Sequence, residues 1–266
     1  MLVGLPVSWV FHMRIYGAYF RISLDKELKL PTFSGYYVRA LIFSLMRISD
    51  PGKSIEIHSS DEYSFSTTPF IQDNAFRFRY LNPGDALFYF YTPKKDVFDL
   101  LTEALISHAV DHFLLKEKPI PIIEFRMFNL DLEPSHVPLS FKLDFITPTY
   151  FKRAGNIILY PDPPLMIQNL AKLAGMDPED AFRWALFNMR VSGFPKGIKT
   201  VVFREPKSSI FHVGFLGSVN ISLKEDDPDW SGKLPILLEL AKYLGVGGDR
   251  SMGFGRILIR EPEERS

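Results

Sequence analysis

The hydrophobic and polar positions in the first half of the chain predict alternating strands and helices. Residues 14–24 alternate apolar and polar side chains, as a half-buried strand does. In residues 33–47 the apolar side chains recur at helical spacing, and Asp-Pro-Gly at 50–52 is expected to stop that helix. The remaining predicted elements are strands at 63–71, 75–80 and 86–91, a helix at 95–110 and a strand at 120–132. The order β-α-β-β-α-β is typical of a ferredoxin-like fold.

The second half repeats this kind of pattern after a polar turn at residues 133–137. Residues 139–146 alternate cleanly and predict a new first strand. The other predicted elements are helices at 163–174, 178–189 and 234–244, and strands at 200–204, 212–223 and 255–259. The sequence therefore predicts an α+β protein with two ferredoxin-like domains, residues 1–137 and 138–266. No residue-level repeat between the two halves supports the duplication directly.

Composition narrows the class of protein. The chain is 46% hydrophobic, which is enough for a packed core, and it has no cysteine, which excludes disulfides and a thiolate nucleophile. No apolar run reaches the ~20 residues that span a bilayer, so we expect a cytoplasmic protein that makes no contact with a membrane. The net charge is 0, which is unusual for a nucleic-acid binder. One stretch, residues 183–204, nevertheless carries five basic residues and no acidic one.

The sharpest local pattern is a glycine-rich loop at residues 245–255, between the last predicted helix and the last predicted strand. Five glycines there allow positive φ angles and close approach of a ligand to the main chain, so the loop predicts a phosphate cradle of backbone N–H groups, with Arg250 and Arg256 adding charge. The spacing excludes both a P-loop and a dinucleotide fingerprint. A helix C-cap followed by a tight turn is the structural alternative.

Residues 244–257, Leu-Gly-Val-Gly-Gly-Asp-Arg-Ser-Met-Gly-Phe-Gly-Arg-Ile, resemble the C-terminal glycine-rich motif of the repeat-associated RAMP proteins. More narrowly, the motif is similar to that of the CRISPR repeat-processing endoribonucleases. Further stretches resemble that family in the order it would place them, namely residues 30–41, 50–58, 63–69, 145–150 and 213–217. The resemblance implies tandem ferredoxin-like domains that bind the repeat portion of a CRISPR precursor RNA.

The resemblance also implies an activity, cleavage without metal or cofactor. The ribose 2′-hydroxyl attacks the adjacent phosphorus and leaves a 2′,3′-cyclic phosphate and a 5′-hydroxyl. His58 matches the family's histidine and is the expected acid or base, because the unperturbed pKa of histidine lies near 6.5. The family's tyrosine and lysine positions hold Phe43 and Ser64, so we expect Tyr37 and Lys53, with Tyr36 and Tyr63 nearby, to act as partners of His58.

Three hypotheses remain open. The chain is a metal-independent endoribonuclease that matures guide RNA; it binds repeat RNA without useful catalysis and hands it to a CRISPR effector complex; or it is a ferredoxin-like scaffold for small ligands or proteins. Pairing of two copies through a sheet edge is also expected. The predicted RNA-binding residues lie in the loop, after the second half's first strand, and in the basic stretch: Gly247, Gly248, Arg250, Ser251, Gly253, Gly255, Lys152, Arg153, Arg190, Lys196, Lys199 and Arg204.

Overall fold

A computed structural model describes residues 13–59, 65–108, 110–115, 118–133, 136–205, 209–224 and 227–260. Tyr63 and Ser64, named above, lie outside the described residues. The protein has a mixed α and β structure, as predicted, with one large sheet in each half and helices packed against it.

The first sheet is built around β1 (Arg14–Leu24), which pairs antiparallel with β7 (Gly84–Thr92) on one side and β9 (Lys118–Asp131) on the other. Its other strands are β3 (Ser66–Thr67), β4 (Phe70–Gln72), β5 (Ala75–Arg77) and β8 (His112–Leu115), in the order β5-β4-β7-β1-β9-β8 with β3 paired to β7. A separate ribbon joins β2 (Leu28–Lys29) and β6 (Tyr80–Leu81).

Three helices belong to this half: α1 (Ser34–Ser49), α2 (Pro51–Ser59) and α3 (Lys95–Ser107). The core side of β1 presents Ala18, Phe20 and Ile22, and all three are fully buried. They pack against the apolar faces of α1 and α3, so the alternation read from the sequence has its expected cause.

The second sheet has the order β13-β15-β10-β16, with β14 also paired to β15. Its strands are β10 (Ser140–Thr149), β13 (Met189–Gly193), β14 (Ile198–Arg204), β15 (Phe211–Leu223) and β16 (Ile257–Arg260); β11 (Phe151–Arg153) and β12 (Asn156–Ile158) form a hairpin beside it. The helices are α4 (Pro163–Leu173), α5 (Pro178–Asn188) and α6 (Lys233–Leu244). Asp162 and Asp177 cap the N-termini of α4 and α5 with side-chain hydrogen bonds.

Two apolar clusters join the halves. In one, Leu240 and Leu244 of α6 pack with Ile15 and Tyr91 of the first sheet. In the other, Phe254 of the glycine-rich loop packs on Phe33, with ring centroids 5.0 Å apart, and on Tyr150, with centroids 6.3 Å apart. The loop therefore lies at the contact between the two halves.

One element that concerns function was not predicted. Asp-Pro-Gly at 50–52 ends α1, as predicted, but a second helix, α2, begins directly at Pro51. Proline is tolerated in the first turn of a helix, where its missing N–H would have no partner in any case. This unpredicted helix carries His58 and Lys53.

Candidate nucleic-acid interface

The glycine-rich loop is folded into the protein and not held open to solvent. Its main-chain N–H groups donate within the chain: Gly248 to the Tyr150 carbonyl at 3.0 Å, Gly253 to Arg250 at 2.9 Å and Gly255 to Pro148 at 2.9 Å. The N–H of Gly247 donates to the side-chain oxygen of Asn169 at 3.1 Å. Ser251 is fully buried, and its carbonyl accepts a hydrogen bond from the hydroxyl of Thr67.

Glycine is required here for packing. Gly255 has φ of +75°, and a Cβ atom on it would lie 1.8 Å from the carbonyl oxygen of Val246. On the facing helix α1, a Cβ on Gly35 would lie 1.7 Å from the carbonyl oxygen of Met252. Main chain therefore packs directly on main chain, which only residues without a side chain permit.

The predicted phosphate cradle is consequently wrong for the amides of Gly247, Gly248, Gly253 and Gly255, because each already has a partner inside the protein.

Arg256 is equally unavailable as a loop cation. Its guanidinium is buried, donates to the carbonyls of Lys242 and Tyr243 at the end of α6, and lies 5.2 Å from the ring centre of Tyr91. Burial lowers the pKa of Arg256 from its ordinary value. The structural alternative, a helix C-cap followed by a tight turn, therefore accounts for most of the glycines in the loop.

One side of the loop does border an open cleft. A cavity of about 350 Å³ lies between the loop, β11, α4 and the start of α5, and a neighbouring cavity of about 290 Å³ continues it past Arg153 and Phe182. We call the two together the lysine cleft. The first cavity is lined by Phe151, Lys152, Leu165, Gln168, Asn169, Lys172, Pro178, Glu179, Gly247 and Gly248. The structure thus brings predicted residues from β11 and from the loop to one cavity.

Asn169 connects this cleft to the loop. Its side-chain oxygen accepts from the Gly247 N–H and from the Arg250 guanidinium, both at 3.1 Å. Arg250 is half-buried. Lys152 and Lys172 are exposed, and the Lys152 ammonium lies 5.9 Å from the ring centre of Tyr150. The sequence did not single out Gln168, Asn169, Lys172 or Glu179, since their helical spacing resembles that of any polar helix face.

His58, the predicted catalytic residue, is exposed near the end of α2. Its ring lies edge-on to Phe43 of α1, with centroids 4.8 Å apart, and Phe43 in turn contacts Phe65 at 5.4 Å. His58 is therefore an exposed imidazole at the edge of the aromatic cluster formed by Phe43 and Phe65.

Lys53 and Tyr37, the two predicted partners of His58, contact other residues. The Lys53 ammonium forms an ion pair with Asp96 of α3 at 3.2 Å, and Lys53 lies five residues before His58, about 140° around the same helix. Tyr37 is half-buried on α1, with its ring 5.5 Å from that of Tyr36. Burial raises the pKa of the Tyr37 hydroxyl, with a smaller contribution from Tyr36, so this group is a weak proton donor near neutral pH.

The basic stretch forms the outer edge of the second sheet. Arg190 on β13, Lys196 in the connection, and Lys199 and Arg204 on β14 are all exposed. Lys199 and Arg204 are five residues apart on one strand, so their side chains leave opposite faces of the sheet. The charges therefore surround this edge and do not form one stripe.

A histidine that the sequence did not single out is held between two carboxylates. His212 on β15 has Nδ1 2.7 Å from Asp249 of the glycine-rich loop and Nε2 3.0 Å from Glu205. Burial by itself lowers the pKa of His212, but the hydrogen bonds and charges of Asp249 and Glu205 outweigh it, and the net pKa is raised. Through its contact with Asp249, the His212 ring ties the loop to β15. No spacing along the chain links these three residues, so the sequence carries no signal for them.

Within the described residues, no cluster of three or more His, Asp or Glu side chains is arranged to hold a metal ion. None of the described helices is both long enough and apolar enough to cross a membrane.

Comparison with known proteins identifies relatives. Residues 143–257 match the family model of the CRISPR-associated endoribonuclease Cas6. A curated protein of that name from Mycobacterium tuberculosis (strain CDC 1551 / Oshkosh) is 28% identical over an alignment of 131 residues, and the match covers 45% of this chain and 38% of that protein. The match thus spans about two fifths of the length of the curated relative.

Solved structures extend the likeness to the fold as a whole. A Cas6 product complex superposes with a TM-score of 0.73 at 19% identity, covering 93% of this chain and 99% of that one. A Cas6 substrate mimic complex gives a TM-score of 0.64 at 19% identity, covering 93% and 100%. The resemblance read from the motifs is confirmed: this chain is similar to the CRISPR-associated endoribonuclease Cas6, in sequence over residues 143–257 and in fold over nearly its whole length.

Proposed function

We propose that this protein binds the repeat portion of a CRISPR precursor RNA and cleaves it into guide RNAs. The observation that carries the proposal is the lysine cleft beside the glycine-rich loop, in a chain that shares the fold of Cas6 product and substrate mimic complexes. Clustered cations provide the non-specific part of RNA affinity, and the chain as a whole has no net charge to do so. Binding therefore depends on where the cations lie.

The chemistry proposed is metal-independent transesterification. The 2′-oxygen forms a bond to the adjacent phosphorus while the bond to the 5′-oxygen breaks, which leaves a 2′,3′-cyclic phosphate and a 5′-hydroxyl. One group takes the 2′ proton and another gives a proton to the leaving oxygen. His58 is exposed and suited to either role. Lys53 and Tyr37 would have to leave their present contacts to assist it.

The finer organisation is part of this proposal. The first sheet has its central strands in the order β4-β7-β1-β9, which fits a ferredoxin-like half, and we propose domains at 1–137 and 138–266. The proposed RNA contacts are Lys152 and Arg153 at the lysine cleft, Arg250, which is bonded to Asn169 of that cleft, and then Arg190, Lys196, Lys199 and Arg204 at the sheet edge. The protein would act in the cytoplasm, deliver RNA to a CRISPR effector complex, and pair with a second copy through a sheet edge.

One observation favours a second function, RNA binding without useful cleavage. Phe43, at the position where relatives were expected to place a tyrosine, is only 6% exposed and packs against the His58 ring. A phenyl ring cannot move a proton, and the loss of one acid–base participant typically costs about 10²–10⁴ in rate.

The test is incubation of the protein with end-labelled repeat RNA in EDTA. Cleavage that gives a cyclic phosphate end supports the nuclease, and tight, salt-sensitive binding without product supports the binding protein. Absence of RNA binding at moderate salt would contradict both.

A further inference from the structure

The lysine cleft contains a carboxylate as well as cations. Glu179, in the first turn of α5, lines both of its cavities. A carboxylate repels phosphate, so Glu179 would lower the affinity of the cleft for RNA if the cleft received only the sugar-phosphate backbone. The side chain has a use if the ligand presents a hydrogen-bond donor at this point.

The hydrogen bond between Gln168 and Glu179 determines which donor and acceptor groups the cleft presents to a ligand. The amide nitrogen of Gln168 donates to one carboxylate oxygen of Glu179 at 2.9 Å. An ionised carboxylate only accepts hydrogen bonds, so the amino end of Gln168 must face it. The second carboxylate oxygen of Glu179 is then an acceptor for a ligand, and the other N–H of Gln168 is a donor beside it.

The remaining walls suit a flat ring. The guanidinium of Arg153 lies over the Phe182 ring, 5.2 Å from its centre, and the buried side chain of Leu165 lines both cavities. Unpaired RNA bases stack on aromatic rings and on guanidinium planes. The larger cavity, about 350 Å³, is at the lower end of the range for small-ligand sites.

Resting on the proposed function, we propose that the lysine cleft binds one unpaired nucleotide of the RNA strand and that Gln168 and Glu179 read its base. Glu179 accepts from an exocyclic amino group and Gln168 donates to the neighbouring ring nitrogen. Adenine and cytosine offer this pair of groups, whereas uracil presents a carbonyl oxygen to the carboxylate. Lys152 and Lys172 at the rim lie where the flanking phosphates leave the cleft. The cleft therefore selects amino-bearing bases against uracil.

The experiment compares the affinities of the whole chain for labelled single-stranded oligo(C), oligo(A) and oligo(U) of equal length, by fluorescence anisotropy at fixed salt. We expect oligo(C) and oligo(A) to bind roughly tenfold more tightly than oligo(U), the usual size of discrimination by one good base contact. Glu179→Gln should remove most of that preference, because the amide can donate to the uracil carbonyl. Its oxygen can still accept from Gln168, so the local structure is kept, which a thermal melt will verify. Glu103→Gln, an exposed carboxylate on α3, is the matched control and should keep the preference.

The outcomes separate the two proposals. An equal gain in affinity for all three oligomers with Glu179→Gln, and the preference kept, would mean that Glu179 acts only through its charge, and would overturn the base-reading assignment. Tight binding of cytidine monophosphate alone, equal to that of the oligomer, would contradict the assignment to an RNA strand. Failure of the wild-type chain to bind any oligomer or the repeat RNA would overturn the proposed function itself.

Discussion

The glycine-rich loop and the His58 end of α2 are held in opposite ways. The loop is buried between the two halves, its amides donate within the chain, and its main chain touches α1 directly. His58 is exposed, with its ring against Phe43. Buried main chain with internal hydrogen-bond partners indicates an element that shapes the protein, whereas the exposed side chain of His58 contributes little to the core. The two regions should therefore respond differently to substitution.

The largest effect is expected in the loop. Gly255→Ala would force a Cβ to within 1.8 Å of the Val246 carbonyl oxygen at φ +75°, and we expect it to destabilise the protein by more than about 4 kcal/mol or to prevent folding. Gly155→Ala is the control, because φ is +79° there but open space surrounds the site, so about 1 kcal/mol of backbone strain should remain. Urea unfolding measures both. Similar losses for the two variants would mean that the loop is not tightly packed.

The opposite response is expected at α2. His58→Ala should reduce RNA cleavage by about 10²–10⁴. The free energy of unfolding should change by less than about 1 kcal/mol, because the side chain is exposed. His108→Ala, another exposed histidine of the first half, is the matched control and should leave the rate unchanged. Loss of stability without loss of cleavage would show that His58 has a structural role, and the two regions would then not differ.

A smaller effect is the pH dependence of stability that His212 confers through its contact with the loop. The pKa of His212 is raised in the folded state, so its contribution to stability is complete below the unfolded value of about 6.5. The contribution is lost as pH rises through the higher folded pKa. We expect a loss on the order of 1 kcal/mol on the alkaline side, the net contribution of a typical intramolecular hydrogen bond. His212→Gln should flatten this dependence in urea titrations, and an unchanged profile would place the titration elsewhere.

The smallest effect is expected at the rim of the lysine cleft. Lys152→Ala should weaken repeat RNA binding several-fold and lower the salt dependence of log affinity by about one unit, without altering the thermal melt, because Lys152 is exposed. The exposed Lys26 of the first half is the control. Equal losses for the two lysines would indicate unspecific charge attraction, and binding would then not centre on the loop side of the protein.

The sequence by itself determined the mixed α and β structure and the approximate places of most strands and helices, because a buried face imposes its period on the chain wherever an element packs on one core. β1, predicted at 14–24, was recovered with its bounds, and the ordered motifs led to the correct relatives. The helix α2 was missed, since a proline that opens a helix has the same local signature as one that ends its predecessor.

Only the tertiary structure decided what the glycines do. A run of glycines indicates that another group lies close to the main chain. The sequence does not distinguish whether that group is a bound phosphate or another segment of the same protein. The contacts that decide the matter join residues far apart in the chain: Gly35 with Met252, Gly247 with Asn169, and His212 with Asp249. Such pairs leave no periodic trace in the sequence. The lysine cleft likewise exists only because α4, α5 and β11 fold around the loop.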